Sequence, residues 1–286
     1  MSKVVIVGSG PAGVSAALYT QRGGFETTVI SKRGGALFKA EKIENYYGFS
    51  DSISGEALYN NGIDGAKKLG VNFVEDEVVS LSFNGSFVVT TTKGSFSADA
   101  VLMATGLSRL TPNIDGIKEF EGMGVSYCAV CDGFFFRNKN VGVIGNGEYA
   151  LHETKELLNV VGTVTVYTNG ENPLVNFPEG VTVKTEKIKS VSGKPMALEI
   201  NFKDSADIVN GLFVAYKTAG STALAKKVGA TIDGNKIVVD DKMQTNIKGL
   251  FAAGDCTGGL LQVSKAVYEG ALAGTEIIKY LKENKN

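Results

Sequence analysis

The segment Lys3-Val-Val-Ile-Val-Gly-Ser-Gly-Pro-Ala-Gly13 decides the fold of this chain. An apolar, β-branched run leads into a glycine turn, and the apolar residues that follow recur with helical periodicity. Gly8 permits the tight turn, Gly10 lets a pyrophosphate approach the backbone, and Gly13 lets the helix pack on the strand. A second strand is predicted at Thr27 to Ile30, so the pattern indicates a nucleotide-binding α/β unit.

The composition is that of a soluble globular protein with about two domains. The chain has 286 residues, 43% of them hydrophobic, and 29 basic residues balance 30 acidic ones. This balance gives no sign of a nucleic-acid or membrane surface. Glycines and a proline interrupt the apolar run in residues 1–20 too early for a signal peptide or span, and three cysteines are too few for a secreted disulfide framework. We therefore expect a cytoplasmic protein.

A pair of cysteines lies in the middle of the chain, in the segment Cys128-Ala-Val-Cys131-Asp132-Gly133. The two-residue gap puts both sulfurs at the first turn of a helix, where N–H groups and the dipole favour a thiolate. Asp132 is suited to carry the protons of these catalytic thiols. A zinc site is the alternative, but only Cys256 and His152 remain as further Cys or His ligands. We expect Cys256 to be a buried apolar side chain and His152 to lie on a helix surface.

Two further glycine segments follow predicted strands. Ala104-Thr-Gly106 follows the strand Ala100 to Met103, and Gly254-Asp255 follows the strand Gly249 to Ala252. Together with the N-terminal turn, they resemble the FAD signature of the two-domain flavoprotein disulfide reductases.

Three more segments narrow this resemblance. Gly34-Gly-Ala-Leu37, Glu44-Asn-Tyr-Tyr-Gly-Phe49 and Cys128-Ala-Val-Cys-Asp-Gly-Phe-Phe-Phe-Arg137 are similar to the GGxL, ENxxG and CxxCDGFFxR segments of the low-molecular-weight thioredoxin reductases. The resemblance covers nearly the whole chain.

The resemblance implies an α/β fold of two three-layer, Rossmann-like domains, the second inserted in the first. The FAD-binding domain would comprise residues 1–110 and 211–286, with strand-forming residues 211–216 re-entering it. Residues 111–210 would form the inserted domain, which carries the cysteine pair and a degenerate NADPH-type fold. The connecting segments would be Thr111-Pro112 and Lys217 to Gly220. The resemblance to the family also suggests a homodimer.

The resemblance also implies an FAD site at the glycine turns, the strand ends and the start of the last helix. Its predicted residues are Gly8, Gly10, Pro11, Ala12, Gly13, Ser31, Lys32, Gly35, Ala36, Leu37, Asn45, Val78, Ala104, Thr105, Gly106, Gly254, Asp255, Gln262 and Val263. Asp255 would hold the ribityl-phosphate region, with Gln262 and Val263 near the ring. Ser31-Lys32-Arg33 replaces the ribose carboxylate expected about 20 residues after the turn. Its two cations would also suit NADP, an alternative that the C-terminal Gly-Asp segment disfavours.

A second segment has the strand-turn-helix pattern of a nucleotide site but lacks the residues that bind the phosphates. Glu148 and Tyr149 follow the turn Gly145-Asn-Gly147, where a pyrophosphate should meet helix N–H groups. The family's HRRxxxR clamp for the 2′-phosphate is replaced by Thr168-Asn-Gly-Glu-Asn-Pro-Leu174, and no Lys or Arg occurs from residue 160 to 183. We expect NADPH to bind poorly or not at all, the alternative being a diverged site that uses NADH or an unaligned lysine such as Lys184.

The resulting prediction is an FAD-dependent thioredoxin reductase that passes electrons through Cys128 and Cys131 to thioredoxin. The chain resembles the pyridine-nucleotide-independent branch of the family, which implies reduced ferredoxin as the electron donor. Three alternatives stay open: an NADPH-dependent thioredoxin reductase with an eroded motif, a flavin dithiol oxidase that uses oxygen, and a flavin-bound redox sensor.

Overall fold

A computed structural model describes residues 2–106 and 112–284. They divide into two compact units, the first made of residues 2–106 and 220–284 and the second of residues 112–219. The predicted connecting residue Thr111 lies outside the described ranges. None of the helices in these ranges is both long and apolar enough to cross a membrane.

The described residues form eighteen strands and six α-helices. The strands are β1 (Lys3–Val7), β2 (Glu26–Ser31), β3 (Asn72–Glu75), β4 (Val78–Phe83), β5 (Phe87–Thr91), β6 (Ser95–Ala98), β7 (Ala100–Met103), β8 (Val125–Ser126), β9 (Asn140–Ile144), β10 (Thr163–Tyr167), β11 (Thr182–Lys184), β12 (Ser190–Lys194), β13 (Ala197–Asn201), β14 (Ala206–Val209), β15 (Gly211–Val214), β16 (Ile232–Asp233), β17 (Lys236–Ile237) and β18 (Leu250–Ala252). The helices are α1 (Pro11–Arg22), α2 (Gly55–Lys68), α3 (Ala129–Asp132), α4 (Glu148–Leu158), α5 (Ser221–Lys226) and α6 (Val263–Glu283).

The first unit is built on a five-stranded sheet in the order β18-β7-β1-β2-β3, in which every pair is parallel. A three-stranded antiparallel sheet, β4-β5-β6, and the hairpin β16-β17 complete its β-structure. The valine and isoleucine side chains of β1 are buried, as expected for a central parallel strand.

Helices α1 and α6 pack closely in the first unit because α6 carries glycines on the facing side. A Cβ at Gly270 would lie 2.1 Å from the Ala12 carbonyl oxygen, and one at Gly274 would lie 2.8 Å from that of Ala16. Both are closer than van der Waals contact allows, so only glycine permits this approach. The close packing places the start of α6 beside the first glycine turn.

The second unit has a parallel sheet in the order β11-β10-β9-β15-β8 and an antiparallel sheet, β12-β13-β14. Its core includes the fully buried side chains of Ile144, Leu198 and Leu212. The predicted α/β fold class, with a Rossmann-like unit inserted in another, is confirmed.

The second unit extends further along the chain than we expected. We placed residues 211–216 in the first domain, but β15 lies between β9 and β8 and pairs with both. An interior strand cannot leave its sheet without breaking both ladders, so β15 belongs to the second unit. That unit ends at Ala219. The apolar pattern predicted the strand correctly but carries no information about which sheet it joins.

Candidate active site

Cys128 and Cys131 form a disulfide at the start of α3. Cys128 is the N-cap residue, and the Cys131 N–H donates to Cys128 Sγ at 3.2 Å. Cys128 is 1% exposed whereas Cys131 is half-buried, so Cys131 is the more accessible sulfur in this state. The predicted position of the pair at a first helical turn is confirmed.

Ser126, at the end of β8, connects Asp132 to the disulfide. Its hydroxyl donates to Asp132 Oδ2 at 2.6 Å and accepts from the Cys128 N–H at 3.1 Å. One side chain therefore fixes both the N-cap and the predicted proton carrier. Sequence reasoning missed Ser126, although a small hydroxyl residue just before a helix N-cap is a common backbone-binding signal.

Helix α4 contacts the same segment through two buried side chains. The Ala129 N–H donates to Glu153 Oε2 at 2.7 Å, and the Tyr149 hydroxyl donates to the Tyr127 carbonyl at 3.1 Å. Burial and the nearby Glu153 carboxylate raise the pKa of Tyr149 well above its usual value. We expected Tyr149 at the phosphate position, but it points inward, because its apolar ring gains more from burial than from an exposed helix end.

Cys256 and His152 were the two other side chains considered as metal ligands, and both lie at least partly buried within the fold. Cys256 is a fully buried free thiol that donates to the Met103 and Ala253 carbonyls, both at 3.3 Å. Burial raises its pKa to about 12, and its complete burial confirms the expectation of a buried side chain. His152 is partly buried on α4, with Nε2 3.9 Å from Glu156. Within residues 2–106 and 112–284, no group of three or more His, Cys, Asp or Glu could hold a metal ion.

The predicted FAD residues meet at one edge of the first sheet. The strands β1, β2, β7 and β18 are parallel, so their carboxyl ends lie at the same edge. Those ends lead into the predicted segments Gly8–Gly13, Ser31-Lys32, Ala104–Gly106 and Gly254-Asp255.

The glycine turn after β1 has the shape of a phosphate cradle. A Cβ at Gly8 would lie 2.2 Å from the Ala104 carbonyl oxygen, and one at Gly13 would lie 1.9 Å from that of Gly8. At Gly10 a Cβ would meet no described atom within 4 Å, so this face of the turn is open. In the described part of the chain, no side chain caps α1, which begins with Pro11 and Ala12 and has no acidic residue in its first turn. An uncapped helix N-terminus next to an open glycine fits a pyrophosphate.

The Gly254-Asp255 loop is held by one lysine. Lys265 Nζ donates to the carbonyls of Gly254 at 2.9 Å and Gly258 at 2.5 Å, and to Glu269 Oε2 at 2.9 Å. Glu269 Oε2 in turn accepts from the Gly254 N–H at 2.8 Å. Burial and Glu269 raise the pKa of Asp255, against the opposing effect of Lys265. Sequence reasoning missed this clamp on the predicted FAD loop.

The remaining predicted FAD residues lie in other segments of the first unit. Gly35, Ala36 and Leu37 form the start of a short 3-10 helix after β2, Val78 begins β4 with its side chain buried, and Val263 begins α6. The Asn45 side chain donates to Gln262 Oε1 at 3.0 Å, so two segments far apart in sequence meet here.

The cations after β2 are paired with acids rather than free for a 2′-phosphate. Lys32 forms an ion pair with Glu77, and Arg33 lies 3.6 Å from Glu56. The Ser31 hydroxyl donates to Ser9 Oγ at 2.6 Å. Both cations after β2 therefore already have acidic partners.

The glycine turn of the second unit, unlike that of the first, is bordered by carboxylates. Asn146 Nδ2 donates to Glu171 Oε2 at 2.7 Å and to the Asn172 carbonyl at 3.3 Å. Glu148 lies in the first turn of α4, so two carboxylates border a helix N-terminus that would otherwise attract phosphate. Lys184, the alternative cation, forms an ion pair with Asp207 at 2.6 Å.

Comparison with known proteins agrees with this geometry. The profile of the family described as "Pyridine nucleotide-disulphide oxidoreductase" matches residues 2–270. A thioredoxin reductase of Listeria monocytogenes is 34% identical over 99% of this chain and 94% of its own length. The crystal structure of the atypical thioredoxin reductase TRi from Desulfovibrio vulgaris Hildenborough is 39% identical, with a TM-score of 0.93 over 100% of this chain and 99% of that one. A ferredoxin-flavin thioredoxin reductase from Clostridium acetobutylicum is 28% identical, with a TM-score of 0.71 over 99% of both chains.

The chain belongs to the pyridine nucleotide-disulphide oxidoreductase family. Within that family it is a flavoprotein of the thioredoxin reductase type, an oxidoreductase whose cofactor is FAD and whose redox disulfide joins Cys128 to Cys131.

Proposed function

We propose that this thioredoxin reductase receives electrons from reduced ferredoxin rather than from NADPH and delivers them through the Cys128–Cys131 disulfide to thioredoxin. The hydrogen bond between Asn146 and Glu171 is the observation that carries the proposal. It holds a carboxylate at the turn on which the pyrophosphate of NADPH would have to bind.

Electrostatics makes that turn unsuitable for a dinucleotide. A pyrophosphate at the N-terminus of α4 would meet Glu148 and Glu171, whereas at α1 no acidic residue lies in the first turn. A 2′-phosphate adds up to about two further negative charges near neutral pH. The clamp segment has no arginine, since none occurs after Arg137, and Lys184 is held by Asp207.

The chain contains the disulfide and a proton carrier beside it, which together can perform the thiol steps of the cycle. FAD supplies one- or two-electron chemistry when it is bound, so a one-electron protein donor is compatible with disulfide reduction. Reduction breaks the S–S bond with two electrons, and each sulfur that becomes a thiol takes one proton. We assign that proton transfer to Asp132, which Ser126 orients through their 2.6 Å hydrogen bond.

The surroundings of the disulfide suit a protein substrate. The apolar side chains of Val130, Phe134 and Phe135 are 54%, 69% and 68% exposed, and they border the half-buried Cys131 in sequence. Exposed apolar groups beside a reactive disulfide favour docking of another protein. This supports thioredoxin as the electron acceptor over the alternative in which the disulfide oxidises a small dithiol.

The ferredoxin assignment is supported by the similarity to the Clostridium acetobutylicum ferredoxin-flavin thioredoxin reductase. We also propose that the predicted FAD residues, from Gly8 to Val263, contact the cofactor. A homodimer and a cytoplasmic location remain expectations from the family.

Turnover with two donors tests the proposal. Thioredoxin disulfide reduction is measured anaerobically with photochemically reduced ferredoxin and separately with NADPH. We expect turnover with ferredoxin alone, and its loss in Cys131→Ser. Comparable turnover with NADPH would overturn the assignment of the donor, and oxygen consumption with small dithiols without thioredoxin turnover would instead identify a dithiol oxidase.

NADPH-dependent reduction is the second candidate, and one contact favours it. Lys217 Nζ lies 5.3 Å from the Tyr216 ring centroid, and the Tyr216 hydroxyl donates to Glu171 at 3.4 Å. The cation of Lys217 therefore lies over the ring of the tyrosine that binds the carboxylate at the turn. If NADPH supports turnover, Lys217→Met should abolish it.

A further inference from the structure

Helix α4 holds the redox segment, which we define as residues 126–132, through one buried polar face. Tyr149 and Glu153 are one turn apart on α4, and they are 2% and 1% exposed. Residues four apart share a helix face, so both side chains reach the same neighbour. Tyr149 binds the Tyr127 carbonyl and Glu153 binds the Ala129 N–H.

The Glu153 contact has an electrostatic consequence for Cys128. Ala129 follows Cys128 directly, and its N–H belongs to the first turn of α3, the kind of group that stabilises a cysteine thiolate when no other acceptor binds it. Here the carboxylate of Glu153 accepts that N–H at 2.7 Å. A carboxylate next to a developing thiolate also repels it, and burial strengthens the repulsion.

Other titratable groups lie in the redox segment and on helix α4, which contacts it. They include Asp132 on α3, Tyr127 before it, and His152 and Tyr149 on α4; the 3-10 turn Gly133–Phe136 contains none. Asp132 accepts from Ser126, so its charge is partly satisfied on the side of β8. Glu153 is the carboxylate that bonds to the backbone between the two cysteines.

We propose that Glu153 is a positioning residue for the Cys128–Cys131 couple, which fixes the start of α3 and disfavours the Cys128 thiolate in the reduced protein, while Tyr149 fixes the preceding residue. A couple whose thiolate is disfavoured has a less stable reduced form and is the stronger reductant. Helix α4, which follows the glycine turn of the second unit, thus positions the redox disulfide.

The thiol chemistry of the reduced protein tests this inference without ferredoxin or NADPH, so its failure is separate from failure of the proposed donor. The FAD-loaded full chain is reduced with dithiothreitol, desalted anaerobically and alkylated with iodoacetamide across a pH series. Mass spectrometry separates the label on Cys128 from that on the more accessible Cys131, and the ultraviolet absorbance of the thiolate gives the midpoint without requiring reagent access to the buried Cys128 sulfur. The variants are Glu153→Gln, Glu153→Ala and, as a matched control on the same helix, Glu156→Gln.

Glu153→Gln keeps an oxygen acceptor for the Ala129 N–H and removes the charge. We expect the pH midpoint of Cys128 alkylation to fall by about one unit, so that the rate at neutral pH rises up to about tenfold. At a pH above the wild-type midpoint, where Cys128 is a thiolate in both proteins, the equilibrium with dithiothreitol should shift about tenfold towards the reduced protein, or roughly 30 mV. Glu156→Gln should match the wild type.

Two results would overturn the inference. If Glu153→Gln titrates like the wild type while Glu153→Ala does not, the carboxylate acts through its hydrogen bond alone. If both variants match the wild type, Glu153 has no influence on the couple. Should Glu153→Ala fail to fold, as judged by circular dichroism, Glu153→Gln still decides the electrostatic part.

Tyr149→Phe tests the other contact. Loss of the hydroxyl should leave the alkylation midpoint unchanged and accelerate hydrogen exchange of the amides in the redox segment by about fivefold, as expected for one lost hydrogen bond of roughly 1 kcal/mol. Unchanged exchange would remove Tyr149 from the proposal.

Discussion

The Asn146 side chain donates to the Glu171 carboxylate at 2.7 Å across the glycine turn of the second unit. The corresponding turn of the first unit, at Gly10, is open and has no carboxylate in the helix turn that follows it. Two similar strand-turn-helix units in one chain therefore have opposite electrostatics. The first can attract a pyrophosphate and the second repels it.

Removing this carboxylate should improve NADPH binding. Glu171→Gln keeps the contact with Asn146 but removes one negative charge, and an unscreened pair at 4 Å in water interacts by about 1 kcal/mol. We expect a dissociation constant above about 1 mM in the wild type and a decrease of about fivefold in the variant. Calorimetric titration measures both. Glu179→Gln, an exposed position in the same loop, is the control and should leave the affinity unchanged; micromolar binding by the wild type would contradict the prediction.

Ser126→Ala should slow thioredoxin reduction. The variant loses the hydroxyl that binds both Asp132 and the Cys128 N–H, two hydrogen bonds worth roughly 1–2 kcal/mol together, so kcat should fall about five- to thirtyfold. KM for thioredoxin should change little because Ser126 is buried. The exposed Ser205→Ala provides the control. Wild-type kcat and an unchanged pH profile in Ser126→Ala would remove this serine from the mechanism.

Cys256 should be chemically silent. Because burial raises its pKa to about 12, its thiolate fraction near pH 8 is about one in ten thousand. Alkylation of the folded, reduced protein near that pH should label Cys131, the more accessible thiol of the pair, but not Cys256, as read by peptide mass spectrometry.

The same raised pKa has a consequence for stability. The unfolded thiol loses its proton near its ordinary value of 9.0, whereas the folded one keeps it until about 12. Its contribution to stability is therefore complete below pH 9 and declines as the pH rises towards 12. Cys256→Ala should show a shallower alkaline loss of stability and retain thioredoxin reduction. Labelling of Cys256 in the folded protein at pH 8 would contradict this assignment.

Lys265→Met should weaken FAD binding. The lysine holds the Gly254-Asp255 loop and neutralises Glu269, and loss of one partner of a buried ion pair destabilises a protein by about 3–5 kcal/mol. We expect fewer flavins per polypeptide and a lower melting temperature. The double variant Lys265→Met/Glu269→Gln should recover part of the stability, because no unpaired buried charge remains. A single variant with full flavin content and wild-type melting would disprove the clamp.

The sequence allowed prediction of those features that depend on local chemistry. The first glycine turn, the cysteine pair at a helix start and the buried Cys256 all follow from residue type and spacing, and the structure agrees with each. The last helix, at whose start we expected Gln262 and Val263, runs from Val263 to Glu283.

Features that depend on tertiary contacts were not predictable in the same way. β15 has an apolar pattern that fits either sheet, and only its pairing with β8 and β9 assigns it. Ser126 and Glu153 approach the disulfide from different elements, and no spacing rule connects Glu153 with Ala129, which is 24 residues earlier. Tyr149 was misplaced because helix position alone does not tell which way a large aromatic side chain turns.

The most direct test of the proposed electron donor is anaerobic stopped-flow reduction of the bound flavin, followed by its visible absorbance. The oxidised protein is mixed with reduced ferredoxin in one experiment and with NADPH in another. We predict that ferredoxin bleaches the flavin within the turnover time and that NADPH does so at least about a hundredfold more slowly, the factor expected for a loss of roughly 3 kcal/mol. Bleaching by NADPH at a rate comparable with ferredoxin would contradict the account.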